Sequence, residues 1–401
     1  IIPLSLVFFR NAQWKTLIKP AISLLIPVGV YLSFRAVILG GITASLTPSS
    51  IDNPMVNYTF LERWFTGIKL LGLYVKKLFT PNPLAYEYAF NTLEKASLSD
   101  HDTWIGIIAT LALIYFLIKG FKSRKWWAFA SAYFLITIAL YTNTLILIGA
   151  MFAERFVFFA SLAWAMAIGG FLINIKTKHF QLASLVAIVL LYGGLSYARN
   201  PVWESSYSLY AADINALDNS CKAHYNLGLE IMKEQAMKTQ NTQERKRLLN
   251  RAMKEFEKSL RIKPGYNLPK GQIALVHYRL GNYSEAIERY QEVLDRNPND
   301  DSGWNNLAGA LVATNQYEGA LECYKKAIAI NPYYTDALGN CGAVNGMLGR
   351  HEEAIKYLER AVEMAPNNAS YYQYLGLSHK ALGNTATANN YFVKAKQLGF
   401  Q

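Results

Sequence analysis

The segment GNYSEAIERYQEVLDRNP, residues 281–298, decides the fold of the C-terminal half because two related segments follow it at a fixed interval. They are NQYEGALECYKKAIAINP at 315–332 and GRHEEAIKYLERAVEMAP at 349–366, which sets the interval at 34 residues. Each segment has an alanine, a large apolar residue four positions later, and a closing proline. The alanine lets two helices approach and the proline ends the second helix, so the pattern predicts stacked two-helix repeats.

The same punctuation extends beyond these three segments. Prolines 264, 298, 332 and 366 keep the interval, as do alanines 286, 320, 354 and 388. A 34-residue period of this kind is the signature of the tetratricopeptide repeat (TPR). An earlier unit begins near Cys221 and is lengthened by a polar insertion at 234–248. The sequence therefore predicts, after a junction at 201–220, five repeats at 221–266, 267–300, 301–334, 335–368 and 369–401.

The N-terminal half has a different composition. Apolar residues make up 52% of the chain and are concentrated before residue 200. The apolar runs are near or slightly under the roughly 20 residues that a helix needs to cross a ~30 Å hydrocarbon core. We expect an all-α chain with a polytopic transmembrane bundle over 1–200, then a TPR superhelix. The spanning helices are predicted near 1–9, 20–39, 103–118, 127–145, 157–173 and 181–197.

Basic residues indicate the topology of the predicted bundle. The links at 10–19, 119–125 and 176–179 are rich in lysine and arginine, which favours the cytoplasmic side. This assignment accounts for much of the formal charge of +12 without a nucleic-acid partner. The loop 40–102 and the repeats then face outward. The amphipathic stretch 61–80 carries five charges, so we expect it to lie in the membrane interface rather than cross. The chain begins within an apolar run and without Met, so we expect it to be a fragment of a longer protein.

Several short motifs occur in a fixed order before the repeats. They are Asp52-Asn53-Pro54, Arg63 with Thr66, Pro81 and Leu84 before Tyr86 and Tyr88, Ala153-Glu154-Arg155, and Arg199-Asn200 before Trp203-Glu204. This order, followed by TPRs, resembles the transmembrane-and-TPR O-mannosyltransferase (TMTC) family from roughly Leu32 onward. The resemblance implies a partial GT-C fold and transfer of a mannose-like sugar from a polyprenyl-phosphate donor to exported protein. No other cofactor is evident.

The same resemblance carries expectations about location and partners. It implies that the TPR groove binds the acceptor polypeptide, and that the catalytic acid of the family lies on a first outer loop that this fragment lacks. The asparagine-rich repeats favour a bacterial member, in the inner (cell) membrane with the TPRs on the outer face. An endoplasmic reticulum membrane with lumenal TPRs is the alternative. A non-catalytic, membrane-anchored TPR scaffold for envelope proteins is the alternative function.

The candidate site residues each have a structural alternative. Arg155 is expected to bind the donor phosphate, because guanidinium geometry suits phosphate, and Glu154 to orient Arg63 or another loop group. Arg63 and Arg35 are further phosphate candidates, although Arg35 can instead snorkel to the interface. Asp52 and Glu154 are the catalytic candidates. A structural salt bridge at Glu154 and a turn at Asp52 are the alternatives.

Two further patterns concern metals and peptides. Asp100-His101-Asp102 suggests either a metal site or an N-cap, and its position just before a helix favours the cap, so no metal site is predicted. The sixth position of the first helix of each repeat carries Asn226, Gln272, Asn306, Asn340 and Tyr374. Side-chain amides can donate to and accept from a peptide backbone, so the row resembles the asparagine ladder of the O-GlcNAc transferase repeats. The alternative is that asparagine is simply common at this consensus position.

Overall fold

The computed structural model describes residues 2–10, scattered positions between 22 and 37, 49–144 and 146–400. The predicted helix at 20–39 and the start of the outer loop therefore lie largely outside the described residues. The described part is helical, and its one β-bridge pairs Tyr88 with Phe152. The chain divides into two compact units, Ile1–Leu227 and Gly228–Gln401, and the division falls inside the helix that opens the first predicted repeat.

The N-terminal unit contains seven helices with four or more residues per turn in its described part, and the start of an eighth. They are α1 (Ile2–Arg10), α2 (Phe60–Phe79), α3 (His101–Phe121), α4 (Trp126–Ile138), α5 (Ser161–Ile173), α6 (Lys178–Arg199), α7 (Ser206–Asp213) and α8 (Cys221–Glu230). Short 3₁₀ turns at Pro54–Asn57, Ala139–Thr142, Glu154–Val157 and Asn200–Trp203 connect them.

Helix α2 is the stretch predicted to lie in the interface, and it packs closely on α3. Thr59 and Glu62 form a reciprocal capping box that starts α2. A Cβ on Gly72 would lie 2.3 Å from the backbone nitrogen of Gly106, so glycine permits the close approach of the two helices. Lys69 is almost fully buried and pairs with Asp100 at 2.5 Å. One charge of this stretch thus lies inside the unit.

Two helices are long and apolar enough to cross a membrane by length and composition. They are His101–Phe121 and the continuous segment Lys178–Trp203, and few residues of either apolar window are buried within the protein. Trp126–Thr142 and Ser161–Ile173 are apolar but shorter. The predicted polytopic bundle therefore stays a prediction.

The C-terminal unit is an array of paired helices. After a π-helical segment at Ile231–Ala236, the helices are α9 (Thr242–Ile262), α10 (Leu268–Leu280), α11 (Tyr283–Arg296), α12 (Asp301–Ala313), α13 (Tyr317–Ile330), α14 (Thr335–Met347), α15 (His351–Met364), α16 (Ala369–Ala381) and α17 (Thr385–Gln397). The predicted TPR superhelix is confirmed.

Local chemistry explains why the helices of this array end at a constant interval. Gly281, Gly349 and Gly383 have φ of +86°, +73° and +81°, and Asn315 in the same register has φ of +61°. Glycine and asparagine tolerate this left-handed conformation, which ends the first helix of each pair. The start of the next helix follows within a few residues.

Packing between the two helices of a pair relies on one small residue. A Cβ on Gly342 would lie 2.6 Å from Leu358 Cγ, and one on Gly376 would lie 2.4 Å from Phe392 Cε1. The large apolar residue recognised in the sequence therefore lies directly on the glycine of the partner helix. The core depends on this complementarity between a glycine and a large side chain.

Candidate functional site

Glu154 lies at the centre of a polar cluster in the N-terminal unit. Its carboxylate accepts hydrogen bonds from the Ala85 amide (3.0 and 3.1 Å) and from the Tyr88 hydroxyl (2.8 Å). Lys77 Nζ, near the end of α2, lies 3.5 Å from Glu154 Oε1. The expected pairing with Arg63 is wrong, because the cation that faces Glu154 is Lys77.

Arg155 holds the same loop from the neighbouring position. Its Nη1 donates to the Tyr86 carbonyl at 3.0 Å, and its guanidinium lies 5.0 Å from the ring centre of Phe156. Adjacent residues on a helical turn face different directions, so Glu154 and Arg155 have separate partners, as the sequence suggested. Arg155 therefore retains donors for a phosphate while contributing one to the loop.

The segment that leads toward the repeats contributes a third contact to this loop. Asp213 is buried, and its Oδ2 accepts the Tyr86 amide at 2.8 Å. Arg199 Nη1 and Nη2 lie 2.6 and 2.8 Å from the two oxygens of Asp213. Two parallel contacts of this kind are the strong, planar form of the arginine–carboxylate pair. The backbone of Tyr86 is thus fixed at both its amide and its carbonyl.

Lys222 in α8 forms a triad with two carboxylates. Its Nζ lies 2.5 Å from Asp52 Oδ1 and 3.1 Å from both oxygens of Glu87. Burial alone would lower the pKa of Lys222, but the hydrogen bond to Asp52 and the charge of Glu87 raise it. The catalytic candidate Asp52 is therefore the partner of a cation that sequence reasoning missed.

The loop that carries Asp52 is held by two buried amides. Asn53 Nδ2 donates to Asn143 Oδ1 (2.8 Å) and to the Ile148 carbonyl (2.9 Å). Asn143 Nδ2 in turn donates to the carbonyls of Ala150 and Met151. This arrangement places the segment before Glu154 beside the Asp-Asn-Pro motif.

The remaining arginine candidates are differently placed. Arg63 donates to the carbonyls of Met55, Val56 and Tyr58, which fixes the 3₁₀ turn after Asn53. Arg35 lies outside the described residues. Arg63 therefore supports its own loop, and Arg155 is the arginine of the prediction that lies in the cluster.

The environment of Glu154 alters its acidity. Burial raises the pKa of the Glu154 carboxyl, against the opposing effects of the Tyr88 hydroxyl and the Lys77 ammonium. Burial and the neighbouring carboxylate also raise the pKa of Tyr88. A carboxyl with a raised pKa is suited to hold a proton, as a general acid must.

Two cavities lie at the C-terminal end of α2. One, of about 500 Å³, is lined almost entirely by apolar side chains that include Leu78, Phe79, Trp126 and Trp164. The other, of about 190 Å³, is lined by both Lys76 and Lys77 together with Tyr88. An apolar cavity beside a cationic one can accept a molecule with a hydrocarbon part and an anionic part.

The metal alternative at Asp100-His101-Asp102 has a clear structural answer. Asp100 is the N-cap of α3, where its carboxylate accepts the Asp102 amide at 3.0 Å. Across the residues that the structure describes, no group of three or more histidine, cysteine or acidic side chains could hold a metal ion.

The amide row lies in the repeats. Asn340 Nδ2 is 3.3 Å from Asn305 Oδ1, and Asn305 Nδ2 is 3.5 Å from Asn306 Oδ1, so three amides join two successive repeats. Asn305 was not predicted, because it precedes the repeated position. Gln272 and Asn306 line one cavity of about 510 Å³. The structure places Asn226 in the N-terminal unit, where its amide donates to the Tyr86 hydroxyl at 3.2 Å.

Sequence and structure comparisons bear on the repeats. Two models described as tetratricopeptide repeat match residues 272–335 and 311–376. Residues 272–376 are tetratricopeptide repeats. No curated protein sequence matches the chain.

Similar solved structures include three TPR-containing helical chains. A crystal structure of MamA is 23% identical, covering 40% of this chain and 95% of that one with a TM-score of 0.36. YrrB, described as a TPR protein with an unusual peptide-binding site, is 18% identical, with 47% and 92% covered and a TM-score of 0.38. PilF of Pseudomonas aeruginosa is 20% identical, with 46% and 78% covered and a TM-score of 0.40.

Proposed function

We propose that this chain is a membrane-bound TPR protein whose repeats bind an extended polypeptide. The observation that carries the proposal is the line of amides formed by Asn340, Asn305 and Asn306 across two repeats. Each amide has two donor hydrogens and an acceptor oxygen, and the contacts within the line use only part of that capacity. The unused groups match the alternating N–H and C=O groups of an extended backbone.

Such a surface favours binding with little dependence on sequence. Backbone groups are the same in every peptide, so amides that contact them contribute to affinity rather than selection. A scaffold or an enzyme that handles many exported proteins requires this property. The repeats thus support both functions that the sequence left open.

The double variant Asn306→Ala with Asn340→Ala tests the proposal. The full chain in detergent is titrated with a decapeptide selected on it from a random library. Losing two net hydrogen bonds costs about 1–3 kcal/mol, or roughly 5- to 150-fold in Kd. Asn299→Ala, an exposed loop residue outside the line, serves as the matched control. Equal affinity of the double variant and the control for several unrelated peptides would refute the amide surface.

We also propose that α3 and α6 lie in a membrane, with the repeats on its outer side. The support is the exposure of large apolar side chains along both helices, including Ile108, Ile118, Val189 and Leu190. Exposed apolar surface of this extent marks a contact with lipid or another protein. A bacterial inner membrane follows the resemblance in the sequence, and the endoplasmic reticulum is the alternative.

Cysteine labelling tests this topology. Ser99→Cys and Asn299→Cys, both at exposed positions, should react with an impermeant maleimide in intact cells, whereas Ser123→Cys in the basic link should not. The three native cysteines are buried, so background labelling is low. Labelling of only one outer site would overturn the shared orientation.

A second candidate function is sugar transfer from a polyprenyl-phosphate donor, as expected of a GT-C enzyme. The supporting observation is the pair of cavities at the end of α2, one apolar and one lined by Lys76 and Lys77. The two lysines would hold the phosphate beside Arg155, and Glu154 is the nearest candidate for the proton. The test is transfer of labelled mannose from polyprenyl phosphomannose to the selected decapeptide. Transfer that is lost in Lys76→Met supports the enzyme, and peptide binding without transfer supports the scaffold.

A further inference from the structure

The second repeat contains a cavity for which its own side chains provide incomplete partners. Its volume is about 510 Å³, and it lies among the first turns of α10, the last turns of α11 and the first turns of α12. Gln272, Tyr290 and Asn306 are among the residues that line it. The cavity thus includes two members of the amide row.

The next repeat shows why the cavity is open here. Positions 34 residues after Lys270 carry Trp304, Leu338 and Tyr372, all large and apolar. Trp304 donates its indole N–H to the Pro298 carbonyl at 2.8 Å, so it fills its site in an ordered way. Lys270 has a long, flexible, charged side chain at this position instead.

A second contact closes the third repeat and has no equivalent in the second. Asn331 Nδ2 donates to Asp301 Oδ2 at 2.8 Å across the open end of the helix pair. The residues at the same register in the second repeat are Asn297 and Asn267, and both line the cavity instead. Two substitutions within one repeat period therefore leave the second repeat open.

Two polar atoms of the lining residues lack hydrogen-bond partners among the described protein atoms. They are the Tyr290 hydroxyl and the Gln272 side-chain oxygen, and Tyr290 is only 1% exposed. Buried polar groups in folded proteins are normally paired, so an unpaired group calls for a partner from outside the chain. The hydroxyl can donate to an anion, and the amide oxygen can accept a peptide N–H.

The charges around the cavity favour an anionic group. Lys270 and Arg296 line it, and neither has an ion-pair partner within the described residues. Asp300 is the one acidic residue of the lining, and its Oδ1 accepts the Gly303 amide at 2.9 Å to cap α12. Two cations thus remain against one engaged carboxylate.

We propose that this cavity is a specificity pocket for an aspartate or glutamate side chain of the polypeptide bound on the amide row. The proposal rests on the proposed peptide-binding function, and Gln272 and Asn306 connect the pocket to that surface. The peptide carboxylate would accept from the Tyr290 hydroxyl and the Lys270 ammonium. The peptide N–H of the same residue would donate to Gln272.

A random decapeptide library selected on the full chain in detergent tests the pocket. We expect enrichment of peptides with a fixed acidic position, and at least tenfold weaker binding when that residue is changed to its amide. Lys270→Met should reduce affinity for the acidic peptide and leave the amide version unchanged. Lys270→Trp, which restores the side chain of the next repeat, should abolish the acidic preference.

Two further variants separate the pocket from a folding defect and from general peptide binding. Tyr290→Phe should weaken acidic-peptide binding without lowering the melting temperature, because the hydroxyl has no protein partner to lose. Lys325→Met, an exposed lysine of the third repeat, should change neither. Peptide binding that depends on Asn340 but shows no acidic preference would overturn the pocket and leave the proposed function intact. Absence of any selected peptide would overturn both.

Discussion

Replacing Lys222 by methionine should destabilise the N-terminal unit because it leaves two carboxylates facing each other. Lys222 Nζ is 2.5 Å from Asp52 and 3.1 Å from Glu87, and methionine keeps the length of the side chain without its charge. The raised pKa of Lys222 means that its stabilising effect is present below the unfolded value of about 10.4 and is lost only as pH rises through the folded value. The full effect is therefore expected at neutral pH.

The magnitude follows from burial. The side chains of Lys222, Asp52 and Glu87 are 24%, 34% and 15% exposed, so the triad is intermediate between a surface pair and a buried one. Exposed pairs contribute about 0–1 kcal/mol, and breaking a buried pair costs about 3–5 kcal/mol. We expect a loss of about 2–3 kcal/mol in the free energy of unfolding of this unit.

Tryptophan fluorescence can report this unit alone. Trp304 is the one tryptophan of the eight that lies after residue 227, so the measurement is made in a Trp304→Phe background. Guanidinium unfolding in detergent is then compared between Lys222→Met and Lys238→Met. Lys238 pairs with Glu234 on the surface, and its loss should change little. An effect of Lys222→Met no larger than that of Lys238→Met would refute the reasoning.

The remaining predictions concern acidity and packing. Because the pKa of Glu154 is raised, the native state holds its proton to higher pH than the unfolded chain, so unfolding free energy falls as pH rises from about 4 through the folded pKa. In Glu154→Gln this fall should disappear from unfolding curves measured by tryptophan fluorescence; an unchanged pH dependence would exclude Glu154 as its source. Gly342→Ala places a Cβ 2.6 Å from Leu358 Cγ and should cost about 1–3 kcal/mol, measured by guanidinium unfolding followed by circular dichroism. Gly309→Ala, whose Cβ meets only ordinary contact at 3.9 Å, should instead stabilise by about 0.5–1 kcal/mol, and equal effects of the two would contradict the packing argument.

The repeats could be predicted because their signals are local. A glycine or asparagine with positive φ ends one helix, and a proline follows the end of the next, so each boundary is set by residues within the boundary itself. The glycine that receives a large apolar side chain lies on the neighbouring helix, within the same repeat. A periodic sequence makes such short-range rules visible several times over.

The polar cluster could be predicted only in part, because its contacts join distant segments. Lys222 is 170 residues from Asp52 and 135 from Glu87, and nothing in the local sequence of any of them indicates the pairing. Arg63, expected to serve the site, is instead satisfied by carbonyls only 5 to 8 residues away. Charge at a motif indicates that a partner is needed, but the tertiary fold decides which partner.

The contacts of the 85–88 segment determine how catalysis by Glu154 can be distinguished from a structural role. Glu154 accepts the Ala85 amide and the Tyr88 hydroxyl, while Arg155 accepts the strain of neither and donates only to Tyr86. A carboxylate that fixes a loop and also transfers a proton must lose at least one of these contacts when substrate binds. Glutamine preserves an acceptor oxygen for the loop but cannot supply the proton. A Glu154→Gln variant that keeps the wild-type unfolding free energy at neutral pH and loses sugar transfer would therefore assign the proton to Glu154, whereas loss of stability with retained transfer would assign Glu154 to the architecture of the loop.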